Sequence, residues 1–382
     1  MDFSKKELER YGRHLLLPEI GTEGQLKLKK AKVLLIGTGG LGSPAGIYLA
    51  AAGVGTIGLI DFDRVDLSNL HRQIIHFTED IGRPKVISAK EKINHLNPEV
   101  KVLTYDVKLD SSNALDIFKN FDLIVDGTDN FPSRYLINDA CILSKKPYVF
   151  GGILRFEGQV SIFGLDDGPC YRCLFQDPPK PGQIPSCSEA GVLGVLPGVI
   201  GLLQANEAIK LICGIGRPLK GRILIFDALD ASFRDLKVKK DPHCAICSSN
   251  RTIHKLIDYE LFCNARPHAA QQSGSTTQEI SVQELKKIVD QKPKDFYLLD
   301  VREQFEWDIA NIDGAVLKPL SSLKDHYQDI PKDKKIFVHC KLGGRSRQAI
   351  EFLKTKGYQN LTNIKGGIDA WAQDIDPKIT RY

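Results

Sequence analysis

The chain has 382 residues, of which 42% are hydrophobic and 26% are charged, and its formal net charge is +5. This length predicts roughly two or three domains, and the composition is ordinary for a globular protein. The mild charge argues against a dedicated nucleic-acid-binding protein, and the apolar stretches are too short and too interrupted by Pro and Gly to span a membrane. The first residues carry acidic side chains and lack the apolar core of a secretory signal.

The nine cysteines are too few and too scattered for the disulfide framework of a small secreted protein. We therefore expect free thiols in a reducing compartment and a cytoplasmic protein with neither nucleic-acid nor membrane partners.

Strand and helix patterns alternate through roughly the first 155 residues. A helix is predicted over 4–17, where Ser4 and Glu7 have the spacing of a capping box. Alternation of this kind is typical of a mostly parallel sheet with helices on both faces. The predicted strands are 32–37, 56–61, 100–107, 121–129 and 147–153, and the predicted helices are 43–52, 84–96 and 135–145.

The pattern changes after about residue 155. Antiparallel strands are predicted over 157–164 and 221–229, with an apolar helix over 198–214. A segment rich in Ala, Gln, Ser and Thr has little to bury and is interpreted as an interdomain linker. The second alternating unit is predicted to contain helix 281–290, strands 296–302 and 335–340, and helix 346–356. The predicted organisation is a first domain over 1–263, a linker over 264–278 and a small α/β domain over 279–382.

A glycine-rich turn joins the first strand of the alternating series to a helix. Its sequence GTGGLG contains Gly37, Gly39, Gly40 and Gly42, which allow a tight turn and a close approach of phosphate to a helix N-terminus. Asp61 ends the next strand, where it can accept hydrogen bonds from a ribose. These features alone fit an NAD-dependent dehydrogenase as well as an enzyme that uses ATP.

Charged side chains farther along favour ATP. Arg72 and Lys85 would offset the charge of a triphosphate and of leaving pyrophosphate, a demand that a dehydrogenase does not have. Asp129 and Asn130 close a later strand and could hold Mg²⁺ together with waters and phosphate oxygens. Taken singly, Arg72 or Lys85 could instead be a solvated surface charge.

The segment from Gly37 to Gln73 resembles the MoeB/ThiF family, which is related to ubiquitin-activating enzymes. The resemblance extends from about Tyr11 to Cys247. It implies a Rossmann-like domain with a mixed sheet, which uses ATP and Mg²⁺ to adenylate the C-terminal glycine of a ubiquitin-like sulfur-carrier protein ending in Gly-Gly. The site residues that it implies are Gly40 at the phosphates, Asp61 at the ribose, Asp63, Asn69, Arg72 and Lys85 along the triphosphate, and Asp129 at Mg²⁺ and the adenylation chemistry. Ser68 and Asn130 are further candidates for binding the nucleotide and its metal.

Arg13 also matches this family. In RYGRHLLLPE it corresponds to an arginine that such enzymes insert into the site of the partner subunit, and this match implies a homodimer. From its spacing alone, an exposed helix residue is the alternative.

Four cysteines form two CxxC pairs, Cys170 with Cys173 and Cys244 with Cys247. Four thiolates suit a tetrahedral Zn²⁺ that supports the structure and leaves no open position for water. A redox pair is the alternative for a single CxxC. The family resemblance also implies zinc at these two pairs, as a zinc knuckle of the first domain.

The remaining cysteines of the first domain fall into two groups. Cys187 lies in a segment with small and polar neighbours, where a thiol could attack an activated acyl group or a disulfide. It matches a loop cysteine of the family, and an incidental thiol is the alternative. Cys141, Cys213 and Cys263 have apolar or helical surroundings and are interpreted as ordinary buried thiols.

A cysteine-containing loop follows a strand of the second domain. In CKLGGRS the backbone N–H groups, the start of a helix and Arg345 would together stabilise a thiolate or another anion. Arg345 comes five positions after Cys340, one fewer than in cysteine phosphatases, and this loop resembles that of rhodanese sulfurtransferases. LLDVRE (298–303) and IKGGIDAW (364–371) resemble rhodanese segments as well, with Asp300 and Arg302 interpreted as an internal pair. The implied persulfide loop comprises Cys340, Gly343, Gly344, Arg345 and Ser346.

The two resemblances predict one combined activity. The first domain would form an acyl-adenylate on the carrier, and Cys340 would take sulfur from thiosulfate or a cysteine desulfurase. Attack of the persulfide, followed by reductive cleavage in which Cys187 could act, would yield a thiocarboxylate for molybdopterin, thiamine or tRNA thiolation. The alternatives are adenylation with a silent rhodanese domain and a non-catalytic scaffold that binds the carrier.

Overall fold

A computed structural model of the chain describes residues 3–179, 190–264, 278–291 and 296–382. These residues form two compact units, one up to residue 264 and one from residue 278 onward. Each unit has its own sheet and its own apolar core. The predicted linker lies almost entirely outside the described residues, and the limits 1–263, 264–278 and 279–382 stay predictions.

The first unit is built on an eight-stranded mixed sheet in the order β3-β2-β1-β4-β5-β6-β7-β8. Neighbouring strands from β3 to β5 pair in parallel, and β5 to β8 pair antiparallel. The strands are β1 Lys32–Ile36, β2 Thr56–Ile60, β3 Lys101–Tyr105, β4 Leu123–Asp126, β5 Tyr148–Leu154, β6 Glu157–Phe163, β7 Arg222–Asp227 and β8 Ser232–Lys237. The predicted switch from parallel to antiparallel pairing after about residue 155 is confirmed.

Helices cover both faces of this sheet, and successive side chains of β1 are buried on alternate faces. Val33 and Leu35 pack into one apolar cluster, and Leu34 and Ile36 pack into the other. The capping box predicted for the first helix is present, with Glu7 N donating to Ser4 Oγ and Ser4 N donating to Glu7 Oε2. The helices are α1 Lys5–Leu15, α2 Gly21–Lys30, α3 Gly42–Ala51, α4 Lys85–Leu96, α5 Ala114–Phe118, α6 Phe131–Ser144, α7 Tyr171–Leu174, α8 Leu196–Cys213 and α9 Tyr259–Asn264.

Within the described ranges, α8 alone is long and apolar enough to satisfy a test for a membrane-spanning helix. Half of its length is buried inside the unit. It contacts α3 and strands β5 and β6, and its residues Leu196, Ile200 and Ala208 belong to the apolar core. These contacts are those of a core helix that covers one face of the sheet.

The second unit has a five-stranded parallel sheet in the order β11-β10-β12-β13-β9. Its strands are β9 Gln278–Ile280, β10 Phe296–Asp300, β11 Ala315–Leu317, β12 Lys335–His339 and β13 Leu361–Ile364, and its helices are α10 Val282–Asp290, α11 Gln304–Ile309, α12 Leu323–His326, α13 Gly344–Thr355 and α14 Gly367–Asp374. Apolar clusters lie on both sides of this sheet. The predicted small α/β domain is confirmed.

Several elements are absent from the sequence-based prediction. Strand β8 is exposed at all six residues and therefore shows no apolar alternation. Strands β9 and β11 have three residues each, too few for a pattern. Helix α13 begins at Gly344, two residues earlier than predicted, and β4 ends at Asp126, so that Asp129 and Asn130 follow the strand in a turn.

Candidate functional site

A cavity of about 350 Å³ opens at the carboxyl ends of β1, β2 and β4. In open α/β sheets this is the edge at which ligands bind. Most of the predicted nucleotide-site residues meet here, although they come from five separate parts of the chain. The predicted residues that line the cavity are Gly37, Gly39, Gly40, Asp61, Asp63, Arg72, Lys85, Asp129 and Asn130.

The glycines of the turn serve different purposes. Gly37 has φ +84°, and a Cβ there would lie 3.0 Å from the carbonyl oxygen of Gly127. A Cβ at Gly42 would lie 1.9 Å from the oxygen of Gly37. Gly42 is not among the described residues that line the cavity. Gly42 therefore allows the turn to close against itself, while Gly39 and Gly40 border the cavity.

Asp61 holds the glycine turn in place. Its Oδ2 accepts hydrogen bonds from Thr38 N at 2.9 Å and from Thr38 Oγ1 at 3.1 Å, and its Oδ1 accepts one from Asp63 N at 3.0 Å. Each carboxylate oxygen can accept two hydrogen bonds. One acceptor position for a ribose hydroxyl therefore remains on Oδ1.

A buried lysine supplies positive charge to the cavity. Lys85 is the first residue of α4, and its backbone N–H donates to Asp63 O at 3.0 Å. Its Nζ lies 2.9 Å from Asp63 Oδ2, and its side chain is only 6% exposed, against 51% for Asp63. The structure therefore excludes the solvated-surface alternative for Lys85.

The segment 67–72 contributes one side chain to the cavity. Arg72 lines it, and its Nη1 donates to Ser68 O at 3.0 Å. Ser68 and Asn69 lie in the short 3₁₀ turn Leu67–Asn69, and the described lining residues do not include them. The resemblance assigned Asn69 to the triphosphate, and Ser68 was a candidate for nucleotide binding; both assignments stay predictions.

The turn after β4 places two predicted residues at the cavity. Asn130 is the N-cap of α6, and its Oδ1 accepts from Ser133 N at 2.9 Å. Asp129 is exposed beside it. Because the cap already uses the amide oxygen of Asn130, Asp129 is the stronger candidate of the two for holding Mg²⁺.

A buried carboxyl that the sequence reading missed supports this turn. Asp126 Oδ1 accepts from Thr128 N at 2.9 Å and from Thr128 Oγ1 at 2.7 Å, and Thr128 lines the cavity. Asp126 Oδ2 is buried and has no hydrogen-bond partner among the described residues. Burial raises the pKa of Asp126 to about 6. Asp126 therefore acts on the cavity through Thr128, which it holds in place from the end of β4.

Other lining residues were also missed, for different reasons. Gln73 is buried and lines the cavity, and only its place in the run LHRQ could have signalled it. Lys108 and Glu260 both line the cavity and form an ion pair at 2.8 Å. They are far apart in the chain, so no local pattern connects them.

The four cysteines of the two CxxC pairs come together in the first unit. Their Sγ atoms all lie within 4.8 Å of one another, with separations of 3.8 Å for Cys170 and Cys173 and 3.4 Å for Cys173 and Cys247. A tetrahedral zinc with Zn–S bonds of about 2.3 Å would place sulfurs about 3.8 Å apart. The cluster thus fits zinc without an open position, and two of its cysteines are buried.

The second candidate centre is the Cys340 loop, between β12 and α13. Gly343 N donates to Cys340 Sγ at 3.0 Å, and Ser346 Oγ lies 3.5 Å from the same sulfur. The loop needs Gly343 because its φ is +108°, which other residues rarely adopt. Cys340 is fully buried. These contacts bring Cys340, Gly343 and Ser346 together as predicted.

Arg345 differs from its predicted setting because a carboxylate binds it. Its Nη2 donates to Glu306 Oε1 at 2.7 Å, and its Nη1 also pairs with Glu306. Burial opposes the ionisation of Glu306, but the hydrogen bonds from Arg345, Glu303 N and Tyr382 and the charge of Arg345 together hold the pKa of Glu306 below its ordinary value. The guanidinium therefore does not act as an uncompensated charge beside the thiol. Its Nε is buried and has no partner among the described residues.

Asp300 and Arg302 form the predicted internal pair. Both side chains are fully buried, and Arg302 Nη2 lies 2.5 Å from Asp300 Oδ2. The predicted pairing is confirmed, and the interpretation of this pair as structural stays a prediction. The three thiols interpreted as ordinary, Cys141, Cys213 and Cys263, are buried.

Two further residues were predicted to act at these centres. Arg13 is exposed on α1 and is not among the described residues that line the cavity of its own chain. Cys187 lies outside the described residues.

Family comparisons cover both units. The ThiF family matches residues 11–246. The chain belongs to the ThiF family. A rhodanese-like domain matches residues 281–374. The prediction of a ThiF-type adenylation domain followed by a rhodanese domain is therefore confirmed.

Relatives of this ThiF-family chain share one or both parts. The probable adenylyltransferase/sulfurtransferase MoeZ of Mycobacterium tuberculosis is 47% identical over 99% of this chain and 96% of the relative. The sulfur carrier protein adenylyltransferase of Thermus thermophilus is 53% identical over 70% of this chain and all of the relative. A solved structure of Escherichia coli MccB with ATP, at 23% identity and a TM-score of 0.56, covers 63% of this chain and 73% of that one and shows a shared fold.

Proposed function

We propose that the chain adenylates the C-terminal glycine of a ubiquitin-like sulfur-carrier protein ending in Gly-Gly and then converts it to a thiocarboxylate. One observation carries this proposal. A cavity with a glycine turn, a buried lysine and an exposed aspartate occurs in the same chain as a cysteine inside a tight glycine-containing loop. The first site suits activation of a carboxylate, and the second suits transport of sulfur.

In the first step a carboxylate oxygen of the carrier attacks the α-phosphorus of ATP, and pyrophosphate leaves. Gly39 and Gly40 receive the phosphates at the start of α3, where the helix dipole favours negative charge. Lys85 and Arg72 offset the charge that develops on pyrophosphate. Asp129 would hold Mg²⁺, which would neutralise part of the triphosphate charge when bound.

Arg13 is proposed to act in the cavity of a second copy of the chain. Its exposure on α1 supports this role, because an arginine that reaches another subunit must leave its own surface. The active species is then a homodimer in which each cavity receives one arginine.

In the second step the Cys340 thiolate takes a sulfane sulfur from thiosulfate, which releases sulfite, or from a cysteine desulfurase. The terminal sulfur of the Cys340 persulfide attacks the acyl carbon, AMP leaves, and carrier and enzyme are joined through an acyl disulfide. The Cys187 thiolate then attacks Cys340 Sγ, which expels the thiocarboxylate and leaves a Cys187–Cys340 disulfide. A cellular thiol reductant restores both thiols.

The thiocarboxylate is proposed to supply sulfur for molybdopterin in the cytoplasm, with thiamine and thiolated tRNA as the other products of such carriers. Zinc is proposed at the four-cysteine cluster, where it would stabilise the first unit. The proposed domain limits are 1–263, 264–278 and 279–382.

The test uses the full chain with a Gly-Gly-ended carrier. We expect ATP–pyrophosphate exchange that falls at least about a hundredfold in Asp129→Ala, while Asp116→Ala, a matched change at an exposed aspartate, keeps it. Sulfur transfer from thiosulfate should be lost in Cys340→Ala and retained in Cys213→Ala.

Three outcomes would contradict parts of the proposal. If ATP binds but no ATP–pyrophosphate exchange is detected, the alternative of a non-catalytic scaffold that binds the carrier would be favoured. Exchange that Asp129→Ala leaves unchanged would remove Asp129 from the chemistry. Sulfur transfer that survives Cys340→Ala would reduce the activity to adenylation with a silent rhodanese domain.

A further inference from the structure

Tyr382 contacts the groups that hold Arg345 beside Cys340. Its hydroxyl lies 2.7 Å from Arg302 Nη1 and 3.0 Å from Glu306 Oε1. Its ring lies 4.5 Å from Lys341 Nζ, and Lys341 is the residue after Cys340. One side chain thus touches the loop itself and the carboxylate that binds the loop arginine.

The direction of these hydrogen bonds follows from which of the groups carry protons to donate. Arg302 can only donate, so the phenol oxygen accepts from it and uses its single proton to donate to Glu306. Arg302 is fully buried. Its Nη1 has, besides the phenol, only a longer bond of 3.2 Å to Glu306 O among the described residues.

Glu306 is fixed at both oxygens. Oε2 accepts from Glu303 N at 3.0 Å and pairs with Arg345 Nη1, while Oε1 accepts from Arg345 Nη2 at 2.7 Å and from the Tyr382 hydroxyl. A bidentate carboxylate–guanidinium pair is planar, so the plane of Glu306 sets the plane of Arg345. The Arg345 Nε–H, which has no partner among the described residues, takes its direction from the same plane.

The chain around Tyr382 is tied to the same loop. Arg381 Nε and Nη2 donate to the two carboxylate oxygens of Asp369 at 3.1 and 3.0 Å. Asp369 N donates to Lys341 O, and Ile368 N donates to Cys340 O at 3.0 Å. The position of Tyr382 and the shape of the Cys340 loop are therefore coupled through the start of α14.

We propose that Tyr382 is a positioning residue for sulfur transfer at Cys340, which orients Arg345 by holding Glu306. This inference rests on the proposed sulfur transfer at Cys340. In that reaction Arg345 keeps its Nε–H available to an anionic sulfur, either the incoming donor or the persulfide. Tyr382 acts through Glu306 and touches neither substrate nor sulfur.

The test compares two tyrosine hydroxyls of the second unit in the full chain. Tyr382→Phe keeps the ring beside Lys341 and removes the hydroxyl. Tyr358→Phe is the matched control, because the Tyr358 hydroxyl also lies within hydrogen-bond distance of two groups, with its proton shared between Tyr327 O at 2.6 Å and Ile330 O at 3.0 Å. Sulfur transfer from thiosulfate to dithiothreitol is followed by sulfide release.

We expect kcat/KM for thiosulfate to fall about tenfold in Tyr382→Phe, mainly through KM, because the lost bond involves a charged partner. The acid limb of the pH profile should move to higher pH by about half a unit to one unit, because Glu306 loses a donor that favours its ionised form. The charged and titratable groups that face Glu306 are Arg345, Arg302, Tyr382 and Lys341, with Asp300 behind Arg302. Tyr358→Phe should lower thermal stability and leave both readouts unchanged.

A second variant separates positioning from folding. If Tyr382 acts through Glu306, then Tyr382→Phe should cost no further activity in a Glu306→Gln background. Independent losses in the double variant would overturn the inference. The inference would also be overturned if Tyr382→Phe had a KM for thiosulfate within twofold of that of Tyr358→Phe and the same acid limb, provided that activity still requires Cys340. Activity that survives Cys340→Ala would instead overturn the proposed function.

Discussion

The Ser346 hydroxyl lies 2.6 Å from Asn363 Oδ1 and 3.5 Å from Cys340 Sγ. A serine hydroxyl has one proton to donate, and the nearer acceptor takes it. Asn363 is itself oriented by its Nδ2, which donates to Glu279 Oε1 at 2.8 Å. Asn363 Oδ1, and Gly343 O at 3.1 Å, therefore compete with the Cys340 sulfur for the proton of Ser346.

Asn363→Leu should raise the rate at which iodoacetamide alkylates Cys340 at neutral pH by roughly three- to tenfold. Without Asn363 the Ser346 proton is shared between Gly343 O at 3.1 Å and the sulfur at 3.5 Å, and a hydrogen bond to the sulfur stabilises the reacting thiolate. The measurement is peptide mapping by mass spectrometry, which separates Cys340 from the other thiols. Adding Ser346→Ala should cancel the increase, and an increase that persists without Ser346 would contradict this explanation.

Lys85→Met should lower kcat/KM for ATP in pyrophosphate exchange about a hundredfold, because a buried ammonium at the cavity is lost while its partner Asp63 remains. The matched control is Lys90→Met on the same helix, at a residue outside the described cavity lining. Equal effects of the two substitutions would show that Lys85 acts only through the stability of α4.

Asp126 should make the first unit less stable as the pH rises. Its pKa is raised by burial to about 6 from an ordinary 3.8, so between these values the folded state binds more protons than the unfolded state. The contribution of Asp126 to the free energy of unfolding therefore falls between about pH 4 and pH 7, by a total on the order of 3 kcal/mol. Over this pH range the free energy of unfolding of the wild type should fall by this amount relative to that of Asp126→Asn, which does not titrate at this position.

Amide hydrogen exchange in β4 is the appropriate measurement for this prediction. Both tryptophans, Trp307 and Trp371, belong to the second unit, so their fluorescence would not report on Asp126. A difference between wild type and Asp126→Asn that stays constant with pH would contradict the buried, partly protonated carboxyl.

Removal of one cysteine from the four-cysteine cluster should abolish metal binding. Cys244→Ser should reduce bound zinc, measured by atomic emission, to less than half an equivalent per chain and should lower the melting temperature of the first unit. Cys213→Ser removes a buried thiol outside the cluster and should keep the metal. Full zinc content in Cys244→Ser would place the metal elsewhere.

The sequence predicted best those features whose chemistry lies within a few residues. The glycine turn, the two CxxC pairs and the five-residue step from Cys340 to Arg345 are local patterns, and the structure places their members together. Local spacing did not reveal that Gly42 serves the closure of the turn, because this depends on how closely the oxygen of Gly37 approaches the position that a Cβ at residue 42 would occupy.

By itself the sequence determined the alternation of the elements, the family and the residue types at both centres, because hydrophobic periods and short motifs are properties of neighbouring residues. Only the tertiary structure decided which charges are compensated. Glu306 lies 39 residues before Arg345 and pairs with it, and Asn363 lies nearer than the sulfur to the Ser346 hydroxyl. Such contacts arise from sheet register and packing between distant segments, and no periodicity along the chain encodes them.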